Sequence, residues 1–192
     1  MNIGKLKNYL EGKYRSEVSP MYTYHTWDHT LYVLKVCNQY IKRYKLSKED
    51  AYILRTGALV HDLGFIWNHK NHESQGVKFT NEELPKWGYT KNQIAIIDRL
   101  IESTQIPQTP KTLMEKIICD SDLDYLGTDL FYKIGETLYQ EFLACNVVKN
   151  RDEWNQLQIN FLKNHSYHTD FAKKHRAPVK EKYLQELIKN HS

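Results

Sequence analysis

Apolar residues recur along this chain at spacings of three and four residues, which is the period of an amphipathic α-helix. Stretches in which apolar and polar residues alternate, as they do in a half-buried strand, are scarce. We therefore predict an all-α protein, folded as a single-domain helical bundle over residues 1–192. The predicted helices cover residues 2–16, 25–44, 48–62, 91–101, 114–126, 131–145 and 153–162, and another begins near residue 72.

The helix that Ser47 caps ends in an adjacent histidine and aspartate, His61 and Asp62. Both fall on the apolar face of that helix, so their side chains are expected to point into the protein. Burying an imidazole and a carboxylate is costly unless each has a partner. An isolated pair of this kind is commonly just a buried hydrogen bond, so the other inward polar residues decide its interpretation.

Two other helices carry polar residues on their core-facing sides. His25 and His29 are four residues apart on one apolar stripe, which predicts that their imidazoles lie one helical turn from each other. Asp122 lies on the apolar stripe of a later helix, and a buried carboxylate needs a donor or a cation. Asp120 and Asp124 are offset from that stripe and are expected to be more exposed, although Asp120 remains the alternative to Asp122.

The inward residues His29, His61, Asp62 and Asp122 form a set of two imidazoles and two carboxylates. Such a set suits Mn, Fe, Co, Ni or Zn better than Ca, and Mg is retained as a further candidate. A divalent metal there would acidify a water to give a nucleophile and neutralise charge on a phosphoryl group. His25 would then be placed to protonate the leaving oxygen as a general acid.

These residues in this order resemble the signature of the HD superfamily of metal-dependent phosphohydrolases. The opening Tyr24-His25-x-x-x-His29 is similar to the Tyr-His-Asn-x-x-His string of that family, with Thr26 where the family has asparagine. Residues 58–64 and 121–123 resemble its His-Asp helix end and its closing Ala-Asp-Leu.

The resemblance covers about residues 22–130 and leaves the C-terminal helices, residues 131–192, unmatched. It implies metal ligation by four residues and proton donation by His25. The implied ligands are His29, His61, Asp62 and Asp122.

Some branches of the family bind two metals, with extra histidines after the His-Asp pair and the aspartate as the bridge. His72 falls in that region and is a candidate ligand of a second metal. Glu73 is a candidate catalytic residue that orients the attacking water, although a glutamate that simply favours a helix N-terminus explains it equally well.

The leading hypothesis is therefore a phosphohydrolase, a phosphatase or phosphodiesterase, that cleaves a phosphate ester or anhydride of a nucleotide or similar small molecule. The alternative is a regulatory module that binds a metal or nucleotide without turnover. A metal-dependent oxygenase would need more histidines, and only His69 and His72 are available downstream. The sequence identifies neither the substrate nor the native metal.

Charge and cysteine content narrow the possible partners and the cellular location of the protein. Residues 163–192 hold seven Lys/Arg and three Asp/Glu, and 7 − 3 equals the whole net charge of +4. A solvated final helix accounts for this basic segment, and no motif supports a nucleic-acid partner. Three cysteines in apolar patterns and no signal peptide or membrane span favour a cytoplasmic protein with no membrane partner. Whether the chain forms a homo-oligomer is left open.

Overall fold

The computed structural model describes residues 2–67 and 70–191. This part of the chain contains ten α-helices and no β-strand, which confirms the predicted all-α class. The helices are α1 (Ile3–Glu17), α2 (Trp27–Tyr44), α3 (Lys48–Val60), α4 (His72–Glu83), α5 (Lys91–Thr104), α6 (Leu113–Asp122), α7 (Phe131–Ala144), α8 (Arg151–Asn164), α9 (Asp170–His175) and α10 (Ala177–Asn190). His69 lies outside the described residues.

Local sequence explains where several of these helices begin. The Ser47 hydroxyl accepts a hydrogen bond from the backbone N–H of Asp50 at 3.0 Å and donates to its carboxylate at 2.7 Å. Thr90 and Gln93 form a reciprocal capping box at the start of α5. These contacts satisfy N–H groups that a helix leaves without an internal partner. The predicted starts of α3 and α5 are therefore confirmed.

One compact unit comprises residues 2–19 and 25–122, and α3 forms its centre. Helix α3 contacts α1, α2, α5 and α6. Its second half is buried on almost every side, and Leu54, Ala58 and Leu59 have no exposed surface. Because α3 is surrounded, its C-terminal end is held rigidly inside the unit, and that end carries His61 and Asp62.

The second compact unit comprises residues 20–24 and 123–191. Helix α10 contacts α8, α9 and the short 3-10 helix Asp124–Gly127. Arg176, between α9 and α10, donates to the buried Asp124 carboxylate at 2.7 Å. Lys180 donates to the backbone oxygens of Leu162 and His165 at the end of α8, where a cation is favoured by the helix dipole. The prediction of one domain over the whole chain stays a prediction.

Two predicted helix boundaries are wrong. His25 precedes α2 rather than lying on it, because Thr26 adopts an extended conformation and serves as the N-cap. Helix α6 ends at Asp122, and the chain continues through the 3-10 helix that begins at Asp124. The expected exposure of Asp120 and Asp124 is also wrong, since both are buried.

The C-terminal segment is more than a solvated helix. Leu184 and Leu187 of α10 are buried, and Lys180 is 7% exposed. His175 and His191 are exposed, whereas His165 and His168 are half-buried. No helix in the described residues is both long and apolar enough to cross a membrane.

Candidate metal centre

His61 is oriented by the end of the helix that carries it. It is the C-cap of α3, and its Nδ1–H donates to the backbone oxygen of Ala58 at 3.0 Å. The last carbonyls of a helix have no intrahelical partner, so this bond satisfies one of them. With Nδ1 acting as the donor, the neutral imidazole presents the lone pair of Nε2 on its opposite side.

His29 and Asp122 come to the same place from two other helices. His29 lies in the first turn of α2, and Asp122 is the last residue of α6. A carboxylate at a helix C-terminus is disfavoured by the helix dipole, so Asp122 depends on nearby positive charge. The His29 imidazole supplies a contact, with Nε2 at 3.0 Å from Oδ1 of Asp122.

Four side chains converge within a small volume. One donor atom from each of His29, His61, Asp62 and Asp122 lies within 4.8 Å of the other three. Oδ2 of Asp62 is 3.2 Å from Nε2 of His29 and 3.1 Å from Nε2 of His61. The exposed fractions of the His29, His61 and Asp62 side chains are 5%, 0% and 7%, and that of Asp122 is 14%. Asp122 is therefore the most exposed of the four side chains.

The four groups shift one another's pKa values. Burial lowers the pKa of His61, but the Asp62 charge and the Asp122 carboxylate outweigh burial and raise it well above its ordinary value. For His29, too, the two carboxylates overcome burial and raise the pKa. Burial raises the pKa of Asp122, yet the neighbouring imidazoles lower it to about 2, and the pKa of Asp62 lies well below its usual range. The carboxylates are therefore ionised and attract positive charge.

The donor set fits a divalent metal ion. Nε2 of His61 and Oδ2 of Asp62 are fully buried and make no hydrogen bond to any described group, although they lie 3.1 Å apart. Such atoms are costly unless something else binds them. Two donors at right angles on one ion, each about 2.1 Å from it, are about 3 Å apart. The separations of Nε2 of His29 from Oδ2 of Asp62, 3.2 Å, and from Oδ1 of Asp122, 3.0 Å, match this spacing.

His72 and Glu73 lie beside the cluster, at the start of α4. Nε2 of His72 is 3.7 Å from Oδ1 of Asp62 and 3.4 Å from Oε1 of Glu73. Asp62 thus directs one oxygen toward His29 and His61 and the other toward His72. The structure brings His72 next to Asp62 and Glu73 next to His72, and the roles of both residues stay predictions.

His25 reaches the cluster from outside α2. Its ring lies on Phe65, with the ring centroids 3.8 Å apart and the planes at 16°. The centroid of the His25 ring is 6.1 Å from that of His29 and 6.2 Å from that of His72. His25 therefore lies near His29, as we expected. It does so from the segment before α2, however, and not from one turn along the same helix.

Asp122, and not Asp120, belongs to the four-residue cluster. Asp120 is two residues earlier on α6 and is fully buried, so the prediction that it is offset from the buried stripe and more exposed was wrong. Sequence reasoning did not single out Phe65. The sequence Leu63-Gly64-Phe65-Ile66 is apolar and forms a buried 3-10 helix, and that apolar run was the available signal.

Gly64 allows the two segments of the site to meet. A Cβ atom at Gly64 would overlap the backbone of His72, including its carbonyl oxygen, and would lie 2.8 Å from its Cα. The absence of a side chain is what lets the start of α4 pack directly on the 3-10 helix Leu63–Ile66. This contact brings His72 next to Asp62.

The family model named HD domain matches residues 26–124, just over half of the chain. This protein therefore belongs to the HD domain family. The matched segment contains all four residues of the cluster. No curated protein sequence matches the chain.

Two solved structures share the fold. A protein described as a predicted HD superfamily hydrolase, from an uncultured Thermotogales bacterium, superposes with a TM-score of 0.62 at 19% identity, over 99% of this chain and 97% of that one. Bacillus subtilis YpgQ, solved in complex with ADP, superposes with a TM-score of 0.64 at 16% identity, over 98% of this chain and 97% of that one. At these identities the likeness establishes the fold.

Gly64→Ala tests the close packing that positions α4. The added methyl group has no space against the His72 backbone, so we expect the free energy of unfolding to fall by about 1–3 kcal/mol. Urea denaturation followed by circular dichroism measures this change.

Gly76→Ala is the matched control on α4 itself. Its Cβ would lie 3.5 Å from the nearest atom, on Ile101, which is an ordinary contact. Alanine is favoured over glycine inside a helix by about 0.5–1 kcal/mol, so Gly76→Ala should leave stability unchanged or raise it. Equal stability of Gly64→Ala and the wild type would contradict the packing described above.

Proposed function

We propose that this protein is a metal-dependent phosphohydrolase that cleaves a phosphate ester or anhydride of a nucleotide or similar small phosphorylated molecule. The observation that carries the proposal is the convergence of two imidazoles and two ionised carboxylates at one buried point of an HD domain. A neighbour described as an HD superfamily hydrolase supports the reaction class. A second neighbour solved with ADP supports a nucleotide as the substrate class.

His29, His61, Asp62 and Asp122 would hold the metal, since their donor atoms converge and two of them have no hydrogen-bond partner among the described groups. A divalent metal held there supplies a Lewis acid that neutralises phosphoryl charge and acidifies water. The mixed nitrogen and oxygen donors favour Mn, Fe, Co, Ni or Zn, and Mg is retained. Ligation by neutral imidazoles means that their protons leave on binding.

The remaining residues of the site have complementary roles. His25 is half-buried and faces His29 across 6.1 Å between ring centroids, so it can donate a proton to a departing oxygen without touching the metal. Glu73 is proposed to orient the attacking water through its carboxylate. His72, 3.7 Å from the outer oxygen of Asp62, is the proposed ligand of a second ion.

Asp62→Ala should remove the bound metal and most of the hydrolytic activity. Oδ2 of Asp62 lies within 3.2 Å of both imidazole Nε2 atoms, so its loss breaks the set of donors at its centre. Metal content per folded molecule, measured by plasma mass spectrometry after equilibration with Mn²⁺, gives the result. Full occupancy in Asp62→Ala would show that the metal lies elsewhere.

The same measurement of metal content applies to three further variants, Asp122→Asn, Asp120→Asn and Asp28→Asn. Asp28 is exposed in the first turn of α2, next to His29 in sequence, and provides the matched control. We expect metal loss in Asp122→Asn and full occupancy in the other two. Loss in Asp120→Asn with retention in Asp122→Asn would move the fourth ligand to Asp120.

His25→Ala should keep its metal and lose activity in a way that depends on the leaving group. An alkyl oxygen must be protonated as it departs, whereas a nitrophenolate leaves with little help. We expect a loss of about 10²–10⁴-fold on an alkyl phosphate and a much smaller loss on nitrophenyl phosphate.

Three other results of the His25→Ala experiment would contradict general-acid catalysis. Equal losses on both substrates would indicate a positioning role, and loss of metal would make His25 a ligand. A lower melting temperature with unchanged activity per folded molecule would make it a core residue.

Metal binding without hydrolysis of any phosphate ester by the wild type would instead favour a regulatory module.

A further inference from the structure

We propose that Phe65 is a positioning residue that holds the rings of His25 and His72 at the metal cluster. The inference concerns how this chain places the two histidines, and its catalytic consequence rests on the proposed function. Phe65 itself touches neither the substrate nor the metal in this account. It acts through the imidazoles that pack on it.

The contact between Phe65 and His25 is a face-to-face stack. The centroids are 3.8 Å apart and the planes differ by 16°, which is close to parallel. His25 belongs to no helix, since α2 begins at Trp27, so helical geometry does not fix its side chain. The flat face of Phe65 supplies a constraint on ring orientation that the local backbone lacks.

His72 packs on the same phenyl ring. Its centroid is 4.2 Å from that of Phe65, with the planes at 30°. The centroids of His25 and His72 are 6.2 Å apart, so the two imidazoles contact different parts of Phe65. One phenyl ring therefore sets the position of two histidines that come from segments 47 residues apart, since 72 − 25 = 47.

Phe65 is well placed for this task because its backbone is anchored on both sides. It lies in the 3-10 helix Leu63–Ile66, directly after Asp62, and its backbone N–H donates to the carbonyl oxygen of Asp62 at 3.1 Å. The preceding Gly64 packs against the backbone of His72. The phenyl ring is thus tied to a cluster residue on one side and to the start of α4 on the other.

Burial argues against substrate stacking on this ring. Phe65 is only 5% exposed, so a nucleobase could not reach its face. Filling the core does not require an aromatic residue, and leucine would supply a similar apolar side chain. What leucine lacks is a flat surface against which an imidazole can lie.

Phe65→Leu tests the role kinetically. Small misplacement of a catalytic group can cost about 10²-fold, so we expect a 10- to 100-fold fall in kcat on an alkyl phosphate. The fall on nitrophenyl phosphate should be much smaller, because His25 matters little there. KM and the occupancy of the ion held by His29, His61, Asp62 and Asp122 should change little. Phe65→Tyr, which keeps the ring, should recover most of the kcat.

Phe79→Leu is the matched control. Phe79 is also 5% exposed and lies in the same compact unit, but its ring contact is with Trp67, at 6.0 Å between centroids. The substitution removes the same atoms from the core and should lower the melting temperature comparably. It should not change the ratio of activities on the two substrates.

Nuclear magnetic resonance of the histidine rings provides a measurement that needs no activity. Ring protons stacked above a phenyl face are shifted upfield by its ring current. We expect this shift for His25 in the wild type, assigned by its absence in His25→Ala, and its loss in Phe65→Leu. If Phe65→Leu does not fold, the wild-type spectrum alone decides whether the stack exists.

The outcomes separate this inference from the proposed function. Wild-type protein that shows the upfield shift but hydrolyses no phosphate ester would retain the placement of His25 and reject the proposed function. An active wild type whose Phe65→Leu variant keeps the wild-type substrate ratio would overturn the positioning role. A wild-type spectrum without the shift would overturn it as well.

Discussion

Two imidazoles and two carboxylates converge at one buried point in this protein, and burying any one of the four alone would be strongly unfavourable. Removing an ionised group from water costs several kcal/mol unless opposite charge compensates it. Here the His29 and His61 imidazoles lie 3.0 to 3.5 Å from oxygens of Asp62 and Asp122. Each group therefore lowers the free-energy cost of burying the others. The arrangement of α2, α3 and α6 depends on this mutual compensation, and the same excess of donor atoms suits a metal ion.

The site is built at helix ends, where side chains can serve both the backbone and the cluster. His61 closes α3 by donating to the Ala58 carbonyl and thereby turns Nε2 toward Asp62. Asp122 ends α6, where the helix dipole disfavours a carboxylate, and the imidazoles compensate for it. The orientation of His61 is thus set by backbone hydrogen bonding before any ligand binds. That preorganisation is what a metal centre requires of its protein.

The sequence was sufficient for the all-α class and for the inward placement of the four cluster residues because period and polarity are local signals, but not for the start of α2 or the end of α6. An inward carboxylate on an apolar stripe identified Asp122, and the order of the histidines and aspartates matched a known signature. The environment of Asp120 and the stacking of His25 on Phe65 could not be predicted, because both depend on contacts between distant segments. Gly64 shows the same limit: its need for a close approach becomes visible only when α4 is in place.

Anomalous X-ray diffraction at the manganese edge, from crystals grown with Mn²⁺, shows whether these four side chains bind a metal. We expect a strong anomalous peak at the point where Nε2 of His29, Nε2 of His61 and the carboxylate oxygens of Asp62 and Asp122 converge. The four ligand distances should each be about 2.0–2.2 Å. A peak elsewhere in the protein, or ordered side chains at this point with no peak, would contradict this expectation.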